Sequence, residues 1–116
     1  GDGKQTRPFL YIDEWIEATR RLVESDFTGP VNIGSDEIIS INDLAQMVID
    51  ISDKDLTLKN IPGPLGVRGR NSDNNLYLEK MGWRVTEPLK TGIKKTFEWI
   101  DTQVQFNSKQ MEPIEN

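Results

Sequence analysis

"RPFLYIDEWIEATRRLVES", Arg7 to Ser25, passes from an extended pattern to a helical one within a few residues. Arg7–Ile12 is rich in aromatic and β-branched residues and reads as a short strand. Asp13 is then placed to cap a helix over about residues 14–25. Ile12, Trp15, Ile16, Thr19, Leu22 and Val23 recur at helical spacing and mark an apolar face. Glu14, Glu17, Arg20, Arg21 and Glu24 fall largely on the other side. The acidic residues lead and the arginines follow, which suits the helix dipole. Asp13 and Glu14 are also a carboxylate pair of the kind used in acid–base chemistry, although helix capping explains them more cheaply. A strand that feeds straight into a helix points to an α/β fold.

The alternation continues downstream. "TGPVNIGSDE" predicts a turn, a very short strand at Val31–Ile33 and a Gly34-Ser35-Asp36 loop, with Asp36-Glu37 solvated. That loop lacks the spacing of a phosphate-binding glycine motif and reads as a plain turn. Ser40 followed by Asp43 resembles a capping box with a shorter acid. Ile41, Leu44, Ala45, Val48 and Ile51 give the next helix a face over about residues 41–52. "DLTLKNI" (Asp55–Ile61) alternates like a half-buried or edge strand, and "PGPLG" breaks it. Ser72 or Asp73 can cap a short helix over about 74–81, which Gly82 ends as Trp83 packs back. Leu89, Ile93, Thr96, Phe97, Ile100 and Val104 share a face of a last helix over about 89–105. Trp15, Trp83 and Trp99 lie on or beside apolar faces and read as core. Residues 1–106 form the folded portion, and 107–116 a polar, aperiodic tail. The expected order is strand, helix, strand, helix, strand, short helix, long helix. Two or three short strands are a thin sheet for about four helices, as in a portion of a larger α/β protein.

Composition narrows the chemistry. The 116 residues carry a net charge of −5, with 35% hydrophobic and 28% charged residues. An acidic chain of this kind is neither a general nucleic-acid binder nor a binder of anionic membranes. No apolar run approaches the roughly 20 residues of a membrane span. Cysteine and histidine are absent. That excludes zinc–thiolate sites, cysteine nucleophiles and Ser-His-Asp relays on this chain. It also fits a cytoplasmic setting. No metal-ligating cluster stands out.

Against this acidic background, "GVRGRNSDNN" concentrates positive charge. Arg68 and Arg70 flank Gly69, and in extended backbone both side chains project to one side. Two guanidinium forks can grip a diphosphate, although a solvated basic loop is the plainer reading. Gln5-Thr6-Arg7 adds an amide, a hydroxyl and a third guanidinium at the mouth of the first strand, where binding residues often sit on rigid support. Strand-end solvation is the plainer reading there too. Tyr77 and Lys80 are one residue short of a Tyr-x-x-x-Lys pair.

The residues carry a resemblance over about 1–105. "GDGKQTRPFLYIDEWIEATRRLVES", "PVNIGSDEIISINDLAQMV" and "IPGPLGVRGRNSDNNLYLEKMGW" resemble the C-terminal third of an extended short-chain dehydrogenase/reductase. Within that superfamily they are most similar to the epimerases of GDP-mannose-like nucleotide sugars. The resemblance implies a small α/β subdomain that closes a nucleotide sugar against an NAD-binding Rossmann domain. NAD there transiently oxidises C4 of the sugar, and acid and base residues invert C3 and C5. It implies substrate contacts from Gln5, Thr6 and Arg7 and a diphosphate contact from Arg70, with Arg68 adjacent in the motif. The chain departs from the family in lacking the glycine-rich NAD loop, the Tyr-x-x-x-Lys pair and any cysteine. Pro8 and Trp15 replace smaller or more polar side chains. The expectation is a substrate-binding portion without catalytic residues, partnered by a Rossmann domain or by further copies and inactive alone. The alternatives are a separate phosphate-ligand or protein-interaction module of the same ancestry, and the equivalent part of a UDP-sugar epimerase or decarboxylase.

Overall fold

The computed structural model describes residues 1–110. Helix α1 spans Ile12–Val23, α2 Ile41–Ser52, α3 Asn75–Met81 and α4 Leu89–Gln110. Strand β1 (Thr6–Pro8) pairs antiparallel with β2 (Ile38–Ser40), setting Thr6 opposite Ser40, Arg7 opposite Ile39 and Pro8 opposite Ile38. Four helices and few short strands are the α/β arrangement expected from the sequence. The helices fall close to their expected ranges, because periodicity and capping act within a few residues. Ser40 is the N-cap of α2; its Oγ accepts from the Asp43 N–H at 3.1 Å. Its hydroxyl donates to the Asp43 carboxylate at 2.6 Å, so the shorter acid closes the box on the side chain. Gly82 ends α3 in the left-handed region (φ 61°), its N–H bonding to Leu78 O at 2.8 Å.

Several local expectations give way. The first strand is only Thr6–Pro8, and α1 starts at Ile12 with Tyr11, not Asp13, at its N-cap. The second strand is Ile38–Ser40, not Val31–Ile33. Asp55–Ile61 forms no strand. One edge of β1 is taken by β2 and the other by Gly69, so alternation in Asp55–Ile61 meets no ladder there to join. Asn74, not Ser72 or Asp73, is the N-cap of α3 and makes no side-chain cap bond; Asp73 Oδ1 instead accepts from Asn75 N–H. Helix α4 continues to Gln110, and the last six positions of the tail lie outside the described residues.

The core gathers where α1, α3 and the start of α4 meet. Ala18, Tyr77 and Leu89 are its buried apolar residues. The Tyr77 hydroxyl donates to Ala18 O at 2.8 Å, tying α3 to α1. Burial pushes the Tyr77 hydroxyl above the ordinary tyrosine range, and the Arg21 cation offsets part of that. Trp83 packs edge-on against Tyr77 at 6.1 Å, with the Arg21 guanidinium 5.3 Å from the indole centroid. Glu14 is buried, and its Oε1 accepts from the Thr86 and Glu87 N–H groups at 2.7 and 2.9 Å. Glu37 accepts from Leu89 N–H at 2.7 Å. Two acids from distant parts of the chain therefore hold the start of α4, where orphan donors and the dipole favour negative charge.

The orientation of α1 reverses the sequence expectation. Its inward stripe is Glu14, Ala18 and Arg21. Ile12, Trp15, Ile16 and Val23 face outward, 49–78% exposed. Trp99 is also exposed, so of the three tryptophans only Trp83 packs into the body. Leu89 is buried and Ile93 and Phe97 are half-buried, whereas Ile100 and Val104 of the same α4 face are exposed. Helix α4 packs against α2.

Candidate functional site

The two motifs that carry most of the chain's functional interest are 63 positions apart and meet at β1. Thr6 N–H donates to Arg68 O at 2.8 Å, and Arg70 N–H donates to Thr6 O at 3.3 Å. Thr6 and Gly69 thereby form a parallel bridge on the edge of β1 away from β2. Gly69 eases this approach: a Cβ there would stand 3.1 Å from Thr6 Oγ1, a tight contact. The glycine therefore serves backbone contact within the chain.

The three arginines have different partners. Arg7 donates from Nη1 to Thr6 O at 2.6 Å and from Nη2 to Val67 O at 2.7 Å. It clamps the Arg68–Arg70 segment onto the strand. Arg68 Nη1 lies 2.7 Å from Asp2 Oδ2. The Arg68 hydrogen bond, aided by the Lys4 N–H, holds the Asp2 carboxyl below the usual carboxylate range. Among the described residues, Arg70 has no side-chain partner, and it borders a shallow depression with Thr6, Ile38, Gly69 and Asn71. Gln5 is set apart from these residues, in a neighbouring groove lined by Asn42, Leu58 and Pro64. Thr6, Arg7, Arg68 and Arg70 are thus gathered at one strand, while Gln5 opens to the next depression.

Asp2 was not among the site residues expected from the sequence. Asn42 reveals its place. Asn42 N–H donates to Gly3 O at 2.9 Å and its side-chain amide to Asp2 O at 3.0 Å. Asn60 donates to Asn42 Oδ1 at 3.0 Å. The first turn of α2 therefore holds the N-terminal turn where Asp2 reaches Arg68. Opposite charges 66 positions apart give no local sequence signal. Among the described residues, Arg70 of this cluster makes no side-chain hydrogen bond or ion pair and stands beside a strand end and a hydroxyl, which suits an anionic ligand better than acid–base chemistry.

Comparisons with known proteins converge on one group. No protein-family model matches the chain. A GDP-mannose 3,5-epimerase of Arabidopsis thaliana is 54% identical over 105 residues, 90% of this chain and 28% of that protein. A Thermotoga maritima UDP-glucose 4-epimerase, solved with UDP-glucose, superposes with a TM-score of 0.83 at 28% identity, over 90% of this chain and 34% of its own. A Bacillus cereus UDP-glucuronic acid 4-epimerase, solved with UDP-glucuronic acid and NAD, gives a TM-score of 0.74 at 31% identity, over 89% and 34%. The chain spans about three-tenths of the length of the relatives it matches.

Proposed function

We propose, on the premise that this chain belongs with the extended short-chain dehydrogenase/reductase epimerases, that it is the nucleotide-sugar-binding part of an NAD-dependent epimerase acting on a GDP-mannose-like substrate. The supporting observation is the meeting of Gln5–Arg7 with Arg68–Arg70 across the Thr6–Gly69 bridge. The similarity to GDP-mannose 3,5-epimerase covers 90% of the chain. In this reading Arg70 takes the diphosphate beside Thr6, and Gln5 meets another part of the substrate from the neighbouring groove. Arg7 holds the segment in place, and Arg68, paired with Asp2, contributes field more than contact. A doubly charged diphosphate beside a guanidinium with no other side-chain partner makes charge-assisted, bidentate hydrogen bonds.

The residues present do not fit a dinucleotide site. Such a site needs a strand, a glycine-rich turn and a helix N-terminus in succession. Here β2 runs directly into α2 through Ser40. NAD therefore belongs, in this reading, to a Rossmann portion outside the chain, as do the groups that move protons. The isolated chain is expected to be inactive, and its setting cytoplasmic. Among the described residues no helix is long and apolar enough to cross a membrane.

Calorimetric titration with GDP-mannose tests the assignment. Arg70→Ala is expected to weaken binding by about tenfold or more, the scale of one lost charge-assisted contact. Arg68→Ala is expected to stay within about threefold, as for an exposed residue already ion-paired. A folded chain that binds GDP-mannose equally well with and without Arg70 defeats the reading.

A further inference from the structure

Gly34-Ser35-Asp36, which reads from the sequence as a plain turn with a solvated acid, lies against the chain just beyond Arg70. The Asn74 side-chain amide donates to Asp36 Oδ1 at 2.8 Å, and the Ser72 hydroxyl donates to Asn74 Oδ1 at 2.6 Å. Beside them, Asn32 Nδ2 donates to Asp73 O at 3.4 Å. Gly34 permits this approach: a Cβ there would stand 2.7 Å from both Cβ and Oγ of Ser72, closer than packed atoms come. The space that Gly34, Asp36 and Asn74 enclose with Tyr77 and Trp83 is about 10 Å³. That is room for one water at most, so these polar groups serve one another and no ligand of their own.

Their place in the fold shows what they hold. Asp36 shortly precedes β2, and β2 pairs with β1. On the opposite edge of β1, Thr6 takes the backbone of Arg68 and Arg70. The Asp36–Asn74–Ser72 chain of hydrogen bonds runs from the β2 side to the far flank of that same segment. Arg70 is therefore tethered twice, by Thr6 through its own N–H and by Ser72 and Asn74 through the residues that follow it. A guanidinium can meet a diphosphate in one geometry only if its stem starts from a fixed point. No local pattern signals the arrangement, because Asp36 and Asn74 are 38 positions apart.

We propose that Asp36 and Asn74, with Ser72, are positioning residues: they touch no substrate, and their latch sets where Arg70 stands. The ligand that Arg70 meets rests on the proposed function; the latch does not. Asn74 is its pivot, since its amide both accepts and donates, whereas an aspartate there would only accept.

The test makes two measurements on the 116-residue chain: hydrogen exchange at the Arg70 amide without ligand, and calorimetric titration with GDP-mannose. Asp36→Ala removes the acceptor. Asn74→Asp keeps a favourable N-cap for α3 but sets a second carboxylate against Asp36. Each should speed Arg70 exchange about threefold to tenfold, the scale of one hydrogen bond, and weaken binding by a similar factor. The double variant Asp36→Asn/Asn74→Asp exchanges donor and acceptor, and should return both values to within about twofold of wild type. A loss from general destabilisation would not be repaired by that exchange. The Asp43 amide, bonded to Ser40 at the α2 N-cap, should keep its protection throughout, and circular dichroism checks that the helices persist. Unchanged Arg70 exchange in both single variants, or a double variant no better than Asn74→Asp, overturns the latch. A freed Arg70 amide with unaltered, Arg70-dependent GDP-mannose binding overturns its positioning role. If Arg70→Ala binds GDP-mannose as well as wild type, the diphosphate reading fails and exchange alone decides the latch.

Discussion

Gly69 shows how one residue joins two motifs. The space that a side chain would need is held by Thr6 Oγ1. Gly69→Ala is expected to cost about 1 kcal/mol in docking the Arg68–Arg70 segment, the scale of a mild overpacking. Hydrogen exchange at the Thr6 and Arg70 amides, which bond across this bridge, should rise several-fold, and adding Thr6→Ala should restore protection. Unchanged exchange in Gly69→Ala would mean that the bridge yields without strain. The arginines and Gly69 were legible in the sequence as a concentration of positive charge on a loop. Their division into a clamp, an ion-paired residue and an unpaired cation was not. Asp2, Val67 and Thr6 are far from one another along the chain, and only folding brings them to the same place.

Helix α1 is fixed by local sequence, and its polar flank carries a pH dependence. Arg20, and then Arg21, hold the Glu17 carboxyl at about 2, through hydrogen bonds that outweigh its partial desolvation. Because the folded-state value is depressed, this support is present above the ordinary carboxylate range and is lost as pH falls toward about 2. Helicity of α1 should therefore decline over that interval in low salt, and Glu17→Gln should remove that component. High salt should shrink the difference, since the pairs are exposed. An identical acid titration for both proteins would rule out this source of support. The same helix shows the limit of pattern reading. Its apolar positions mark a face that benefits from burial, yet in this chain Glu14, Ala18 and Arg21 point inward because Thr86, Glu87, Tyr77 and Trp83 supply partners on that side.

At the scale of the whole molecule, Tyr77 is the main buried tie between α3 and α1. Tyr77→Phe keeps the ring against Trp83 and removes the hydroxyl's bond to Ala18 O. Denaturant unfolding followed by tryptophan fluorescence should show a loss of about 1 kcal/mol. The wild type should also lose stability as pH rises beyond the ordinary tyrosine range, because burial favours the protonated hydroxyl in the folded state. The variant should lack that alkaline component; equal stability of the two proteins at all pH would remove Tyr77 from this role. The sequence by itself determined the four helices, the Ser40 and Gly82 caps and the two basic motifs, because each is encoded within a few adjacent residues. The tertiary structure decided which strands pair, which face of α1 turns inward and which arginine stays unpaired. Strands need a partner edge, burial needs a surface to pack against, and ion pairs need opposite charges brought close, and in this chain all three come from residues distant in sequence.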